Sequence, residues 1–306
     1  MRTISFTIPP ECEGITVRSI LKNQMRLSSG LIARIKLIQG GILLNGAPVH
    51  TNVRVQAGDV LCATVGPSGT SDLNAVVTHG AERKAFPYEI LFEDEDILII
   101  NKPAGVAAHG SRYDACVPSI GKAVGEYYGN DEMYHPVSRL DKGTTGVMTI
   151  AKNGFMHELL ITALHSDEFR RVYIGIAEGD VGRSKGDFGT IDLPIGRADG
   201  SAIKREVRRD GARAVTHYEV IGYENGYSIV GFVLETGRTH QIRVHMAAIG
   251  HPLVGDWLYG TERKDLIERP ALHSKELEFI HPLTGERHII NAKLPQDMRE
   301  LVGWQG

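Results

Sequence analysis

Hydrophobic positions along the chain recur first at helical spacing and then at strand spacing. In "TVRSILKNQM", Val17, Ile20 and Leu21 fall on one helical face; after Ser28 and Ser29, both good caps, "LIARIKLI" repeats the pattern with Leu31, Ile32, Ile35 and Ile38. Gly40 and Gly41 stop that helix, Asn45-Gly46 signals a hairpin, and "VQAGDVLCATV" supplies a further strand. On the first helix, Lys22 and Arg26 are four apart and are expected to share a polar face. A merely solvated face is the plain alternative. Residues 66–80, "GPSGTSDLNAVVTHG", read as a linker. Beyond it "DILII", "VMTIA", "RRVYIGIAE", "AVTHYEVIGYE" and "YSIVGFVLET" are strands, and "GFMHELLITAL" is a helix capped by Asn153. Strands outnumber helices without a βαβ rhythm, so the pattern predicts an α+β fold with a mostly antiparallel sheet. The expected units are residues 1–65, a linker over 66–86, and a large domain over 87–306.

Composition adds limits. With 306 residues, 42 % hydrophobic and 23 % charged, the chain has ordinary globular composition and a core that needs no metal or disulfide staple. Cys12, Cys62 and Cys116 are isolated, which suits a reducing cytoplasm. The N-terminus alternates and carries charge, unlike a signal peptide, and no apolar run reaches the ~18 residues of a membrane span. The net charge of −3 does not exclude nucleic acid, because local clustering decides that. Residues 15–60 hold Arg18, Lys22, Arg26, Arg34, Lys36 and Arg54 against Asp59, six cations minus one anion, or +5.

The candidate chemistry centres on "HPVSRLDKGTTGVMTIAKN", residues 135–153. It sets one carboxylate, Asp141, in a turn just after Arg139, with no second acid nearby and no serine or cysteine nucleophile pattern. Two later segments could meet it. In "RRVYIGIAE", Val172, Ile174 and Ile176 fall on one strand face and Arg171, Tyr173 and Gly175 on the other. A half-exposed strand tyrosine is the plain reading of Tyr173. In "LETGRTHQIRVHMAAIGHPLVGDWLYG", residues 234–260, Thr239 is expected to cap a helix lined by Ile242, Met246 and Ile249, with Gly250 at its end. Arg243 then faces the positive pole of the helix, a placement costing about a few tenths of a kcal/mol. An anion, either an RNA phosphate or Asp141, would offset it. His240 and His245, five apart, diverge around a helix, so no zinc-helix spacing is present.

These segments resemble, in order, the motifs of RNA pseudouridine synthases of the RluA type. "KPAGVAAHG" resembles the first motif, "SRLDKGTTGVMTIAKN" the one holding the catalytic aspartate, and "RRVYIGIAEG" the strand with the active-site tyrosine. "LETGRTHQIRVHMAAIGHPLVGDWLYG" resembles the longest signature and "LHSKELEFIHPLTGE" the closing one. Residues 15–65 resemble the RNA-binding module named after ribosomal protein S-four. Ser138 departs from the family, which usually has histidine there. The resemblance implies that Asp141 is catalytic, Tyr173 the active-site tyrosine, Arg243 the ion-pair partner of Asp141, and Arg139 an RNA-contacting side chain. It also implies that the basic residues Lys22, Arg26, Arg34 and Lys36 grip RNA phosphates.

One carboxylate fits that reaction. Glycoside hydrolysis normally takes two, one of which activates water. Converting uridine to pseudouridine breaks a base–sugar bond too, yet admits no water and releases nothing. Asp141 would attack the anomeric carbon or remove the neighbouring sugar proton, and a nearby arginine would hold it charged. A tyrosine hydroxyl ordinarily titrates near 10, so stacking is the safer role for Tyr173 than proton transfer. The target must leave its stack; Arg139 and the "GTTG" turn could fill the space or hold phosphate, and "IKREVRRDGAR", residues 203–213, could line the RNA path. The expected substrate is ribosomal RNA, large subunit favoured, with transfer RNA as the alternative. No cofactor, metal, membrane or obligate protein partner is expected. Rival readings are an RNA N-glycosidase with Asp256 as second acid, and an RNA-binding protein without activity.

Overall fold

A computed structural model of the chain describes residues 2–65, 85–110, 118–166, 168–182 and 186–303. Residues 66–84, nearly all of the expected linker, and Cys116 lie outside the described residues.

The N-terminal residues build a four-stranded sheet in the order Arg2–Thr7, Val60–Val65, Ile42–Leu44, Ala47–Pro48. Helices Val17–Asn23 and Ser29–Ile35 begin where the sequence offers caps: Thr16 Oγ1 accepts the Ser19 N–H and Ser28 Oγ accepts the Leu31 N–H. Asn45 and Gly46 both take positive φ, 51° and 80°, as a two-residue hairpin turn requires. Two expectations need correction. Lys22 and Arg26 do not share a helical face, because the first helix ends at Asn23 and Arg26 adopts a left-handed φ of 56°. The physical reason is burial: Met25 and Leu27 both turn inward, which throws Arg26 outward between them. The second helix stops at Ile35 rather than Ile38. Gly41 passes so close that a Cβ there would lie 2.1 Å from the Ile35 carbonyl oxygen, and continued helix would occupy that space.

Of the remaining strands, Ile195–Arg197 and Arg205–Val207 pair as a separate two-stranded sheet, and ten form one large sheet. From one edge its order is Phe188–Asp192, Val215–Glu224, Tyr227–Leu234, Phe169–Glu178, Leu272–Ile280, Thr145–Ala151, Ile97–Lys102 and Glu89–Glu93, with Arg287–Asn291 and His135–Pro136 pairing off this path. All neighbours are antiparallel except Leu272–Ile280 against Thr145–Ala151, which run parallel at His273 and Thr145. The α+β expectation with a mostly antiparallel sheet therefore holds. Both faces are covered, which explains apolar runs such as "DILII". Leu98, Ile100, Met148, Tyr173 and Phe232 meet helix residues Ile242 and Met246 on one side; Ile174 and Ile176 meet Val254, Leu294 and Met298 on the other. Each such side chain contributes roughly 1.5–3 kcal/mol on burial, and a one-residue slip would move all of them to the wrong face. Register thus fixes which way Tyr173 points. No helix among the described residues is long and apolar enough to cross a membrane.

Candidate active site

Asp141 sits in the turn that feeds the strand Thr145–Ala151, where the Thr144 N–H donates to its carbonyl at 3.0 Å. Two buried cations grip this turn through its backbone. The Lys102 ammonium donates to the carbonyls of Pro103 and Val106 at 2.8 Å and of Lys142 at 3.3 Å. Arg269 donates to the Gly143 carbonyl at 3.2 Å while its other nitrogens clasp Asp297 at 2.7 and 2.9 Å. Burial pushes Lys102 down to about 8, against the pull of the Asp141 charge. The turn is therefore held by groups far from it in sequence.

Arg243 reaches the same carboxylate from the helix Gln241–Ala248. Its Nη1 lies 3.4 Å from Asp141 Oδ2, while Nε and Nη2 form a two-pronged pair with Asp256 at 2.7 and 2.8 Å. Burial works against the Arg243 charge, but Asp256 and then Asp141 outweigh it and raise its pKa. Asp256 is fully buried, and its Oδ1 also accepts the backbone N–H groups of Leu258 and Tyr259. Both its oxygens are thus committed, which removes it as the water-activating acid of a glycosidase. It orients the guanidinium instead. The expected Thr239 cap is absent: the cap position is His240, in left-handed conformation at φ 59° and without a side-chain cap bond. Gln241 takes over by folding back, its Oε1 accepting the Arg238 N–H at 2.9 Å. The strained His240 backbone aims the imidazole at the site, with Nε2 3.8 Å from Asp141 Oδ2. Tyr259 Oη accepts the Arg205 N–H and lies 2.8 Å from His240 Nδ1. That network assigns the proton to His240 Nε2, facing Asp141. Burial pushes His240 down, so near neutral pH the ring is uncharged.

Asp141, a quarter exposed, opens onto a cleft of about 740 Å³, the size of a small-molecule or nucleotide pocket. Tyr173 lines it and is only 5 % exposed, because Phe232 and Ile242 belong to the same apolar cluster. The half-exposed reading of this tyrosine is therefore corrected. Arg139 is exposed at the mouth, beside His109, whose pKa burial and then the Arg139 charge push down. Buried Ser138 also lines the cleft. The structure thus brings Asp141, Arg243, Tyr173 and Arg139 around one opening. Lys22, Arg26, Arg34 and Lys36 are exposed and none lines that cleft.

Two other expectations change. The "GTTG" segment is not free to replace a base: Thr144 and Thr145 are buried, and Thr145 Oγ1 is bonded to His273 Nδ1 at 2.8 Å. Of the 203–213 stretch, Arg205 lines the cleft, whereas Arg208 pairs with Asp199 and Asp210 and Arg213 with Glu235. Sequence reasoning passed over Lys102, Arg269 and His240 as parts of the site, and weighed Asp256 only as the second acid of a rival glycosidase. Lys102 and His240 did stand inside quoted motifs, but only a fold shows that they converge.

Comparison with known proteins places this geometry in a family. Residues 96–248 match the family model described as RNA pseudouridylate synthase, and residues 4–61 the one described as RluD ribosomal pseudouridine synthase N-terminal domain. The uncharacterized RNA pseudouridine synthase YjbO of Bacillus subtilis is 40 % identical over 282 residues, covering 91 % of this chain and 95 % of its own. Ribosomal large subunit pseudouridine synthase D of Escherichia coli K12 is 37 % identical over 257 residues, covering 75 % and 74 %. Among solved structures, human RNA pseudouridylate synthase domain containing 1 shares the fold, with a TM-score of 0.57 at 24 % identity over 72 % of this chain and 88 % of its own. The chain belongs to the RNA pseudouridine synthase family, of the RluA type, and is an isomerase that converts uridine to pseudouridine in RNA.

Proposed function

We propose that this enzyme modifies ribosomal RNA of the large subunit, with Asp141 as its single catalytic carboxylate. The observation that carries the reading is the division of labour between two acids on one guanidinium: Asp141 opens to the cleft while Asp256 is sealed behind Arg243. A site with one available carboxylate can detach a base and rejoin it, and has no second acid to activate water. Relatives named for the large ribosomal subunit support the choice of RNA, as does the match to an N-terminal domain described from a ribosomal enzyme.

In this mechanism Arg243, fixed by Asp256, holds the Asp141 carboxylate in place. Asp141 attacks the anomeric carbon or removes the neighbouring sugar proton, and the uracil detaches with the bonding electrons on nitrogen-1. It turns against Tyr173 and rejoins through carbon-5, freeing Asp141; the carbon-5 proton is then lost and nitrogen-1 takes one up, so nothing is gained or lost overall. Arg139 occupies the space the everted base leaves. Lys22, Arg26, Arg34 and Lys36 hold flanking phosphates, a contact that carries register rather than sequence. We take residues 1–65 as the RNA-gripping unit and 87–306 as the catalytic one.

The test compares pseudouridine maps of total RNA from cells carrying the wild-type gene, no gene, or Asp141→Asn. The reading expects sites in large-subunit ribosomal RNA to disappear in both altered strains, with the Asn protein folded. Loss confined to transfer RNA, or turnover by the purified Asn variant, would refute it.

A further inference from the structure

The strand that presents Tyr173 presents a second side chain on the same face, Arg171. It is 9 % exposed and lines the cleft. Its Nε is buried without a hydrogen-bond partner, and no carboxylate lies within ion-pair distance of its guanidinium among the described residues. The neighbouring arginines are satisfied: Arg243 by two aspartates, and Arg238 by the Arg213 carbonyl at 2.9 Å. Even the half-exposed Arg170 next to it has Glu276 at 3.9 Å. A desolvated cation with no anion is costly to hold, so its retention at a cleft needs a reason. The turn at Gly237 lies against Nη1, where a Cβ would come to 3.4 Å, so the guanidinium is confined between strand and turn.

We propose that Arg171 binds the phosphate of the nucleotide being isomerised, clamping its backbone while the base lies against Tyr173. This rests on the functional reading above and names a contact that reading lacks. Residues two apart on one strand face are separated by about 7 Å, which suits a base and the phosphate of its own nucleotide. A planar guanidinium meets a phosphate through two parallel hydrogen bonds, and the bond is strongest where water is excluded. The missing anion arrives with the substrate. The free enzyme then carries an unpaired charge that only the correctly everted nucleotide neutralises, and this couples backbone placement to entry of the base.

The test uses a stem–loop RNA substrate of the wild-type enzyme, with either a natural phosphate or an uncharged methylphosphonate 5′ of the target uridine. Arg171→Met should lower kcat/KM about 10- to 100-fold on the natural RNA, and Arg171→Lys should recover part of that. Methylphosphonate should penalise the wild type by a similar factor and add little to Arg171→Met, as two halves of one interaction do. Free Arg171→Met should melt no lower than wild type, since an apolar side chain replaces an unpaired charge. Full turnover by Arg171→Met overturns the proposal. So does a methylphosphonate penalty undiminished in that variant, which would assign Arg171 to the base, or a lowered Tm that Arg171→Lys does not restore. A wild-type enzyme that isomerises no uridine overturns the functional reading, and this inference falls with it.

Discussion

Lys102 shows how a single buried residue ties stability to the site. A lysine in the unfolded chain loses its proton near 10.5, and here burial brings that down to about 8. Below pH 8 both states are protonated and the cost of burying the charge is fully present. Between pH 8 and 10.5 the folded protein has released the proton and the unfolded chain still binds it, so this group's contribution to stability rises with pH. The difference is about 3 kcal/mol. Denaturant unfolding of wild type and Lys102→Met at pH 8 and 10.5 should show the wild type gaining roughly that much relative to the variant. A constant difference would mean that the ammonium is not desolvated. Isomerisation should fall over the same range, because the charge that attracts Asp141 is lost. Nothing in "NKPAG" announced this lysine as a buried group; its ammonium is accommodated by two carbonyls of the loop that follows it and one from the Asp141 turn.

Among the elements, the strand Thr145–Ala151 explains the position of Asp141 best. It pairs in parallel with Leu272–Ile280, and the two backbones meet at Gly146, which has φ 106°. An added Cβ would lie 2.1 Å from the Ser274 carbonyl oxygen, and backbone cannot move aside as a flexible side chain can. Gly146→Ala should therefore destabilise by about 3 kcal/mol or more and displace the adjoining turn, abolishing activity. Unchanged denaturant unfolding of that variant would contradict the close approach. The helix Gln241–Ala248 teaches the complementary lesson. Its existence and its end at Gly250 were readable from spacing and a terminal glycine. Its start was not, because Gln241 caps it from inside while His240 is held in a strained backbone that points toward Asp141.

For the molecule as a whole, charge is distributed so that the net value of −3 hides a basic stretch over residues 15–60. Lys22, Arg26, Arg34 and Lys36 are all exposed there, away from the cleft. If each holds one phosphate, replacing all four with glutamine should raise KM for a structured ribosomal RNA fragment and leave kcat unchanged. It should also flatten the slope of log affinity against log salt by about 3–4. An unaltered salt slope would free these residues from any role in RNA binding. In the proposed mechanism two tasks are separate: phosphates held by the N-terminal cations would give affinity, and Asp141 in the cleft would perform the chemistry.

The sequence alone determined several of the main strands and helices, the α+β class with a mostly antiparallel sheet, and the family, because periodicity and motif order are local properties that survive without coordinates. It also indicated Asp141 and Arg139 inside one motif and Tyr173 and Arg243 inside two others. Only the tertiary structure decided what surrounds them: that Asp256 seals the far side of Arg243, that Lys102 and Arg269 hold the aspartate turn, and that Arg171 is a buried cation without an anion among the described residues. Those facts depend on contacts between segments up to about a hundred residues or more apart. Such distances in the chain are closed by packing, and no local pattern encodes them.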